Sequence, residues 1–144
     1  MPVLSDFFVA PLDEVLGFDA KRSPESLFPS IRAKGVEIVK LVQLQCIVEG
    51  STFDDHLADL DSLFLRTEAE SGPWVLTVPK TLQQSLATAS EAELENIGQR
   101  WAATDEWIRD SGNPHEVAQL VREVAGLARK MKELVGDMYL WVSL

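Results

Sequence analysis

The sequence predicts a single α+β domain over residues 1–144, mainly helical and with a small sheet of about three strands. The composition is that of one folded domain, because apolar residues make up 46% and charged residues 25% of the 144 residues. Helical apolar periodicity fills most of the second half of the chain. The strand-like segments lie at the start, the middle and the end, and this irregular order argues against a doubly wound α/β fold.

The first part of the chain combines one predicted strand with short helical turns. Residues 5–10 are rich in aromatic and β-branched side chains, which predicts the first strand. A short helix is expected over residues 11–16. Ser23 followed by Pro24 is typical of a helix N-terminus, with serine as the cap and proline in the first turn. The rest of residues 17–35 is predicted to be mostly loop.

Two helices are expected in the next part of the chain. The run between Gly35 and Gly50 is apolar on almost every face, which is typical of the central, buried helix of a domain. Thr52 can cap a following helix that has Asp55 at its third position. Apolar residues at helical spacing carry that helix as far as Phe64.

Two further segments have the composition of strands. Residues 74–78 follow a Ser-Gly-Pro turn and predict the middle strand, and residues 138–144 predict the closing strand. The closing strand must have a partner, because a free edge of Tyr-Leu-Trp-Val-Ser-Leu would favour aggregation. A short helix is expected over residues 80–88.

Strong capping signals mark two helix starts in the second half. Ser90 and Glu93 match the capping box, in which each side chain accepts a hydrogen bond from the backbone N–H of the other residue. Asn113 followed by Pro114 opens the last predicted helix. Its apolar stripe is predicted to run to about Val135 and to pack against the central helix or the sheet.

The net charge of −10 is concentrated in two stretches. Residues 49–70 contain seven acidic residues and one basic residue, and residues 91–110 contain six and two. Such a field repels nucleic acid and anionic membrane surfaces, so neither is expected as a partner. The expected partner is a basic protein, whose association the acidic stretches would steer. The alternative is a solvated surface that only keeps the protein soluble.

Candidate partner-binding residues lie in both acidic stretches. The first acidic set is Asp54, Asp55, Asp59, Asp61, Glu68 and Glu70. The second acidic set is Asp105, Glu106 and Asp110, with Trp107 as an apolar anchor. On one continuous helix the rings of Trp101 and Trp107 would point about 120° apart. Because Trp101 fits the apolar stripe, Trp107 is the freer ring and would suit a protein interface.

The sequence predicts no catalytic residue, no cofactor site and no metal site. Sequence motifs for phosphate binding, nucleophilic serine and zinc are missing. Cys46 lies in an apolar run and is expected to be a small buried hydrophobic residue. His56 has Asp59 as a helical neighbour but no second histidine or cysteine at ligand spacing. His115 is expected to be a solvated residue at a helix N-terminus.

A cytoplasmic location is expected. A single cysteine cannot form an internal disulfide. No apolar run approaches the ~18 to 20 residues of a membrane span, and the first residues lack the features of a signal peptide.

A resemblance extends over nearly the full length. It rests on the phrase Ser-Asp-Phe-Phe-Val-Ala-Pro at residues 5–11 and on residues 34–41, 72–79, 100–104 and 140–144. These phrases resemble small uncharacterised bacterial proteins, and the size and charge are similar to those of immunity proteins that neutralise bacterial toxins. The resemblance implies a non-enzymatic inhibitor that masks the basic cleft of a cognate toxin domain.

Two other functions stay open at this point. One is a small hydrolase-like enzyme with a carboxylate or His56-centred site, and the other is an adaptor or structural subunit. A deep pocket with convergent polar groups would favour the enzyme, whereas a broad acidic surface would favour the inhibitor. The identity of the partner and the oligomeric state are not specified by the sequence.

Overall fold

A five-stranded antiparallel sheet forms the centre of the protein in its computed structural model, which describes residues 3–144. The strands are β1 Leu4–Ala10, β2 Ser30–Arg32, β3 Phe64–Thr67, β4 Trp74–Thr77 and β5 Asp137–Ser143. Their order across the sheet is β2-β1-β5-β4-β3. The predicted α+β class is confirmed, but the expected number of about three strands is too low.

Helices precede and follow these strands. The α-helices of the described residues are α1 Leu12–Gly17, α2 Ile38–Glu49, α3 Lys80–Thr88, α4 Glu91–Ala102, α5 Asp105–Arg109 and α6 Pro114–Lys130. Two further segments, Pro24–Ser26 and Phe53–Leu63, are 3₁₀ helices. Among residues 3–144, no helix combines the length and the apolar character that crossing a membrane requires.

The two strands that the sequence analysis missed are both short edge strands. β2 has three residues and pairs with β1, where Ile31 lies opposite Phe7. β3 pairs with β4 and follows directly on the 3₁₀ helix Phe53–Leu63, so its first residue, Phe64, continued the helical spacing in the sequence. Neither strand has enough residues to show a period of two, and both are defined by pairing with distant residues.

The closing strand β5 is the central strand of the sheet. It pairs with β1 over seven residue pairs, from Leu4 opposite Ser143 to Ala10 opposite Asp137, and with β4 on its other side. The prediction that this segment needs a partner is therefore confirmed on both edges.

The two faces of the sheet are covered differently. On one face α2, α3, α4 and α6 bury the larger core, which includes Phe7, Leu140 and Trp101. On the other face α1 and the following loop cover a smaller aromatic cluster. Its rings are Phe8, Phe18, Phe28, Tyr139 and Trp141.

The predicted caps of the second half are confirmed. The Ser90 Oγ accepts a hydrogen bond from the Glu93 N–H, and the Glu93 carboxylate accepts one from the Ser90 N–H, each at 3.1 Å. The Asn113 side chain accepts hydrogen bonds from the His115 and Glu116 backbone N–H groups at the start of α6.

The last helix is shorter than predicted. α6 ends at Lys130, and Val135, which was expected in its apolar stripe, is 79% exposed. Gly136 forms the turn that leads into β5, because it has φ +127° and a Cβ there would lie 2.1 Å from the Ala10 carbonyl oxygen. The chain needs this glycine turn to enter β5 alongside β1. The buried stripe of α6 packs mainly against α4 and α3, with smaller contacts to the sheet.

We predict that Leu127→Ala lowers the free energy of unfolding by about 2–5 kcal/mol, because Leu127 is 3% exposed in the larger core and alanine would leave a cavity. Urea unfolding measures the change. Val135→Ala is the matched control and is expected to change the free energy by less than about 0.5 kcal/mol. A loss of that small size for Leu127→Ala would show that the α6 stripe is not core.

Candidate functional site

The first acidic set lies mostly on the 3₁₀ helix Phe53–Leu63. Asp54, Asp55, Asp59 and Asp61 are all exposed there, and the apolar Leu57 among them is 52% exposed. A hydrogen bond from the backbone N–H of Thr52 holds the pKa of the Asp55 carboxyl below its ordinary value. The segment therefore presents carboxylates around an exposed leucine.

These carboxylates are not neutralised by the protein itself. In the part of the chain that the structure describes, Asp54, Asp59 and Asp61 take part in no ion pair. Glu68, which follows β3, does pair with Arg66. Arg66 also donates to the carbonyl oxygens of Val15 and Phe18 at 2.9 and 2.8 Å, so its main contacts hold α1 and the following loop.

The second acidic set is in a different electrostatic state. Asp105 is exposed, but Glu106 lies 3.4 Å from the Arg109 guanidinium and Asp110 is bonded to the Lys40 ammonium. Two of its three carboxylates are therefore already paired within the protein. The two acidic sets do not form one charge cluster. Asp110 contacts Lys40 in the first turn of α2, whereas the 3₁₀ helix that carries the first set follows the other end of α2.

Trp107 is not an exposed anchor, which corrects the expectation for this ring. Its exposed fraction is 6%, and it meets the buried Trp101 edge to face with centroids 5.4 Å apart. The helix is broken between α4 and α5, where the Thr104 hydroxyl donates to the Trp101 carbonyl oxygen at 2.7 Å. The two rings therefore meet, although on one continuous helix they would diverge.

Lys40 is a buried cation that the sequence analysis passed over as a polar residue in an apolar run. Its side chain is 1% exposed, and its Nζ donates to the Gly35 carbonyl oxygen at 2.7 Å and to the Asp110 carboxylate. The same Nζ lies 4.2 Å from the centroid of the Trp107 ring. Trp101 Nε1 donates to the Lys40 carbonyl oxygen at 2.9 Å. These contacts fasten α4 and α5 to α2. The sequence feature that could have revealed this buried cation is a lysine inside an otherwise apolar run.

A groove of about 720 Å³ runs beside this cluster. Arg32 and Lys34 line one part of it, and Asp110, His115 and Glu116 line another. Within residues 3–144, none of these charged or titratable side chains is hydrogen-bonded to another one in the lining. The groove therefore brings titratable groups near one another without a nucleophile–base pair.

A second, apolar pocket of about 310 Å³ lies at the other end of the 3₁₀ helix, where Phe64 begins β3. Trp74 and Leu76 of β4 and Ile38 of α2 line it, with Glu37 as its one charged side chain in the described chain. No sequence pattern predicts this pocket, because its lining comes from segments that are far apart in the chain.

His56 lies near Ser51 and Cys46 at the end of α2. The Ser51 Oγ and the His56 Nε2 are 2.8 Å apart, and a Glu49 carboxylate oxygen is 4.0 Å from the same nitrogen. Because both contacts involve Nε2, Glu49 does not orient the ring through its other nitrogen as a catalytic triad requires. Neither of the two cavities described above includes Ser51 or His56.

Metal binding by these side chains finds no support in the geometry. Over residues 3–144, no three histidine, cysteine, aspartate or glutamate side chains are grouped so that they could hold a metal ion. Burial raises the pKa of the Cys46 thiol; a hydrogen bond with Ser51 opposes this effect but is smaller, and the nearby charges of Asp55 and Glu49 raise the pKa further. A raised thiol pKa is the opposite of what a nucleophilic cysteine needs.

No protein-family model, curated protein or solved structure matches this chain. Function must therefore be inferred from surface charge, burial and side-chain geometry. The strongest features are the unpaired carboxylates of the first acidic set, the buried Lys40 pair and the apolar pocket beside Phe64.

We predict that Asp110→Ala lowers the free energy of unfolding by about 1–3 kcal/mol, because it leaves the Lys40 ammonium buried without its carboxylate. Adding Lys40→Met is expected to restore stability to within about 1 kcal/mol of the parent, since an apolar side chain of similar length has no charge to desolvate. Urea unfolding measures both variants, and Asp59→Ala is the control for an unpaired acid. A double variant no more stable than Asp110→Ala would contradict this role for the ion pair.

We predict that Cys46 reacts with a thiol-specific disulfide reagent at pH 7 more slowly than the same residue in an unfolded peptide. A raised pKa leaves less thiolate at a given pH, so the rate should keep rising to a higher pH than in the peptide. Ser51→Ala removes the hydrogen bond that lowers this pKa and should slow the reaction further. Faster reaction of the folded protein at pH 7 would overturn the assignment of Cys46 as an unreactive residue.

Proposed function

We propose that this protein is a non-enzymatic acidic inhibitor that binds and neutralises a basic partner protein. The observation that carries the proposal is the group of exposed aspartates on the 3₁₀ helix Phe53–Leu63, of which Asp54, Asp59 and Asp61 have no ion-pair partner among residues 3–144. Unpaired exposed carboxylates accelerate the association of an oppositely charged partner and suppress binding of acidic ones.

The resemblance to immunity proteins suggests the class of partner. A bacterial toxin that acts on nucleic acid or nucleotides has a basic cleft, and an acidic surface on its inhibitor can occupy that cleft in place of the anionic substrate. With three residues per turn, the side chains of a 3₁₀ helix lie in three rows, and the aspartates of this segment are distributed over all three. Asp55 and Asp61 fall in one such row, and Asp54 heads the row that contains Leu57.

Of the residues considered for partner binding, the first acidic set is the better candidate interface. In the second acidic set, Asp110 is bonded to a buried ammonium, and any partner that recruited this carboxylate would leave Lys40 unpaired. Trp107 supports the same cluster from inside the core and contributes to recognition only through the position of α5.

The second candidate function, a small hydrolase-like enzyme, is favoured by one observation, the 2.8 Å contact between Ser51 and His56. His56→Ala and Cys46→Ser test this alternative by turnover, because His56 lies within the proposed interface helix and binding alone does not separate the two functions. If the parent hydrolyses a substrate and either variant abolishes that turnover while its urea unfolding matches the parent, the enzyme becomes the better assignment.

We predict that the double reversal Asp54→Lys and Asp59→Lys slows association with the partner by several-fold at low salt. The difference should shrink as added salt shortens the Debye length below about 10 Å. The measurement is binding kinetics on an immobilised partner recovered by pull-down from the native host. The matched control is Asp13→Lys with Glu14→Lys, which changes the net charge equally on exposed positions of α1, the helix that covers the smaller aromatic cluster.

The control separates a local interface from a general effect of net charge. The proposal expects the α1 reversal to change the association rate by less than about twofold. Two outcomes would show that the acidic surface only maintains solubility. One is equal slowing by both double variants, and the other is association that responds neither to salt nor to either reversal. In either case the adaptor would be the better assignment.

A further inference from the structure

The apolar pocket beside Phe64 is open at the end of the larger core. Leu76 and Val142 form its floor and are 1% and 3% exposed. Phe64 and Trp74 line it and are only half-buried, while Leu144 at its edge is 58% exposed. A volume of about 310 Å³ with this lining is at the lower end of the range for binding pockets.

The charge around this pocket is negative. Glu37 supplies the one charged side chain of the lining in residues 3–144, and its two carboxylate oxygens each accept one hydrogen bond, from the backbone N–H groups of Lys40 and Val39 at 3.0 and 3.1 Å. Each oxygen keeps a further acceptor position. Asp61 is exposed, and its backbone is close to the pocket residue Phe64, whose N–H donates a hydrogen bond to the Asp61 carbonyl oxygen.

The same surface therefore joins the acidic 3₁₀ helix to an apolar cavity. The helix Phe53–Leu63 ends directly at Phe64, so the acidic segment leads along the chain to a residue that lines the pocket. An apolar group with an acidic neighbour would meet Glu37 and Asp61 unfavourably. An apolar group with a basic neighbour would gain both burial and charge complementarity.

We propose that this pocket is the anchor site for one large apolar side chain of the basic partner, flanked in the partner's sequence by lysine or arginine. The inference rests on the proposed function and specifies the partner's segment. It also reverses the expected arrangement of the interface, because the apolar anchor comes from the partner and the protein supplies the pocket. Interface hot spots of this kind are aromatic or large apolar side chains seated in preformed pockets.

The test uses three blocked peptides that differ in one feature each. The probe is Gly-Lys-Phe-Lys-Gly, and the two matched peptides are Gly-Lys-Ala-Lys-Gly and Gly-Glu-Phe-Glu-Gly. Binding in the millimolar range is followed by NMR through the indole N–H resonance of Trp74. We expect the Lys-Phe-Lys peptide to bind about tenfold more tightly than the Lys-Ala-Lys peptide, because the alanine peptide has no aromatic side chain to bury in the pocket. The Glu-Phe-Glu peptide should bind at least about threefold more weakly than the Lys-Phe-Lys peptide. This difference in affinity should become smaller in high salt, which screens the charges.

Two substitutions locate the binding. Glu37→Gln should reduce the preference for Lys-Phe-Lys over Glu-Phe-Glu, whereas Glu14→Gln on α1 should not. Leu144→Ala should weaken both phenylalanine peptides by about twofold or more, whereas Val135→Ala, another exposed apolar residue, should not. Leu144 and Val135 are exposed enough that neither change endangers folding.

The outcomes separate this inference from the proposed function. Equal affinity for the phenylalanine and alanine peptides, or tighter binding of the Glu-Phe-Glu peptide, would overturn the anchor site even if the partner still responds to the Asp54 and Asp59 reversals. The anchor site is supported if the peptides bind as expected and the parent protein releases the partner more slowly than the Leu144→Ala variant does. A partner that ignores charge reversal would overturn the proposed function and, with it, this pocket as the partner's anchor.

Discussion

The pairing of β5 with β1 is the interaction on which the rest of the structure depends. Seven residue pairs join β1, which begins at Leu4, to β5, which ends at Ser143. β4 pairs with the other edge of β5. The side chains of β5 alternate between the two faces, so Leu140 enters the larger core while Tyr139 and Trp141 enter the smaller aromatic cluster. The helices of the larger core pack mainly on one another, and α6 also contacts β1 and β2, so β5 acts on them through the sheet that it joins together. Gly136 is the local requirement of this arrangement, because no side chain fits against Ala10 at that turn.

The parts of the fold that the sequence predicted are those with strong local signals. The caps at Ser90 and Asn113, the apolar run of α2 and the closing strand each depend on residues close together in the chain. β2 and β3 could not be predicted in this way, because a strand of three or four residues is defined by its distant partner. The end of α6 was also missed, because the apolar helical spacing continues past Lys130 and therefore does not mark where the helix ends.

The features of the candidate site also differ in whether they follow from the local sequence or from tertiary contacts. Exposure of the first acidic set follows from its composition, since a segment with so many aspartates cannot be buried without partners. The state of the second acidic set depends on tertiary contacts that no spacing reveals, namely the break after Ala103 and the ion pair between Lys40 and Asp110. The pocket beside Phe64 also has no sequence signature, because its lining comes from several strands and one helix start.

The burial of Lys40 has a consequence for which surface can act as an interface. A buried ammonium retains its desolvation cost unless a carboxylate faces it, so Asp110 is committed to stability and a partner would have to offer another anion to replace it. A basic partner offers none. The aspartates of the 3₁₀ helix carry no such commitment within the described residues, and they lead along the chain to Phe64 and its pocket. Charge that is free to pair and apolar surface that is free to be buried therefore occur together at the 3₁₀ helix and not at α5, and this coincidence is the physical support for proposing the interface on the β3 side of the sheet.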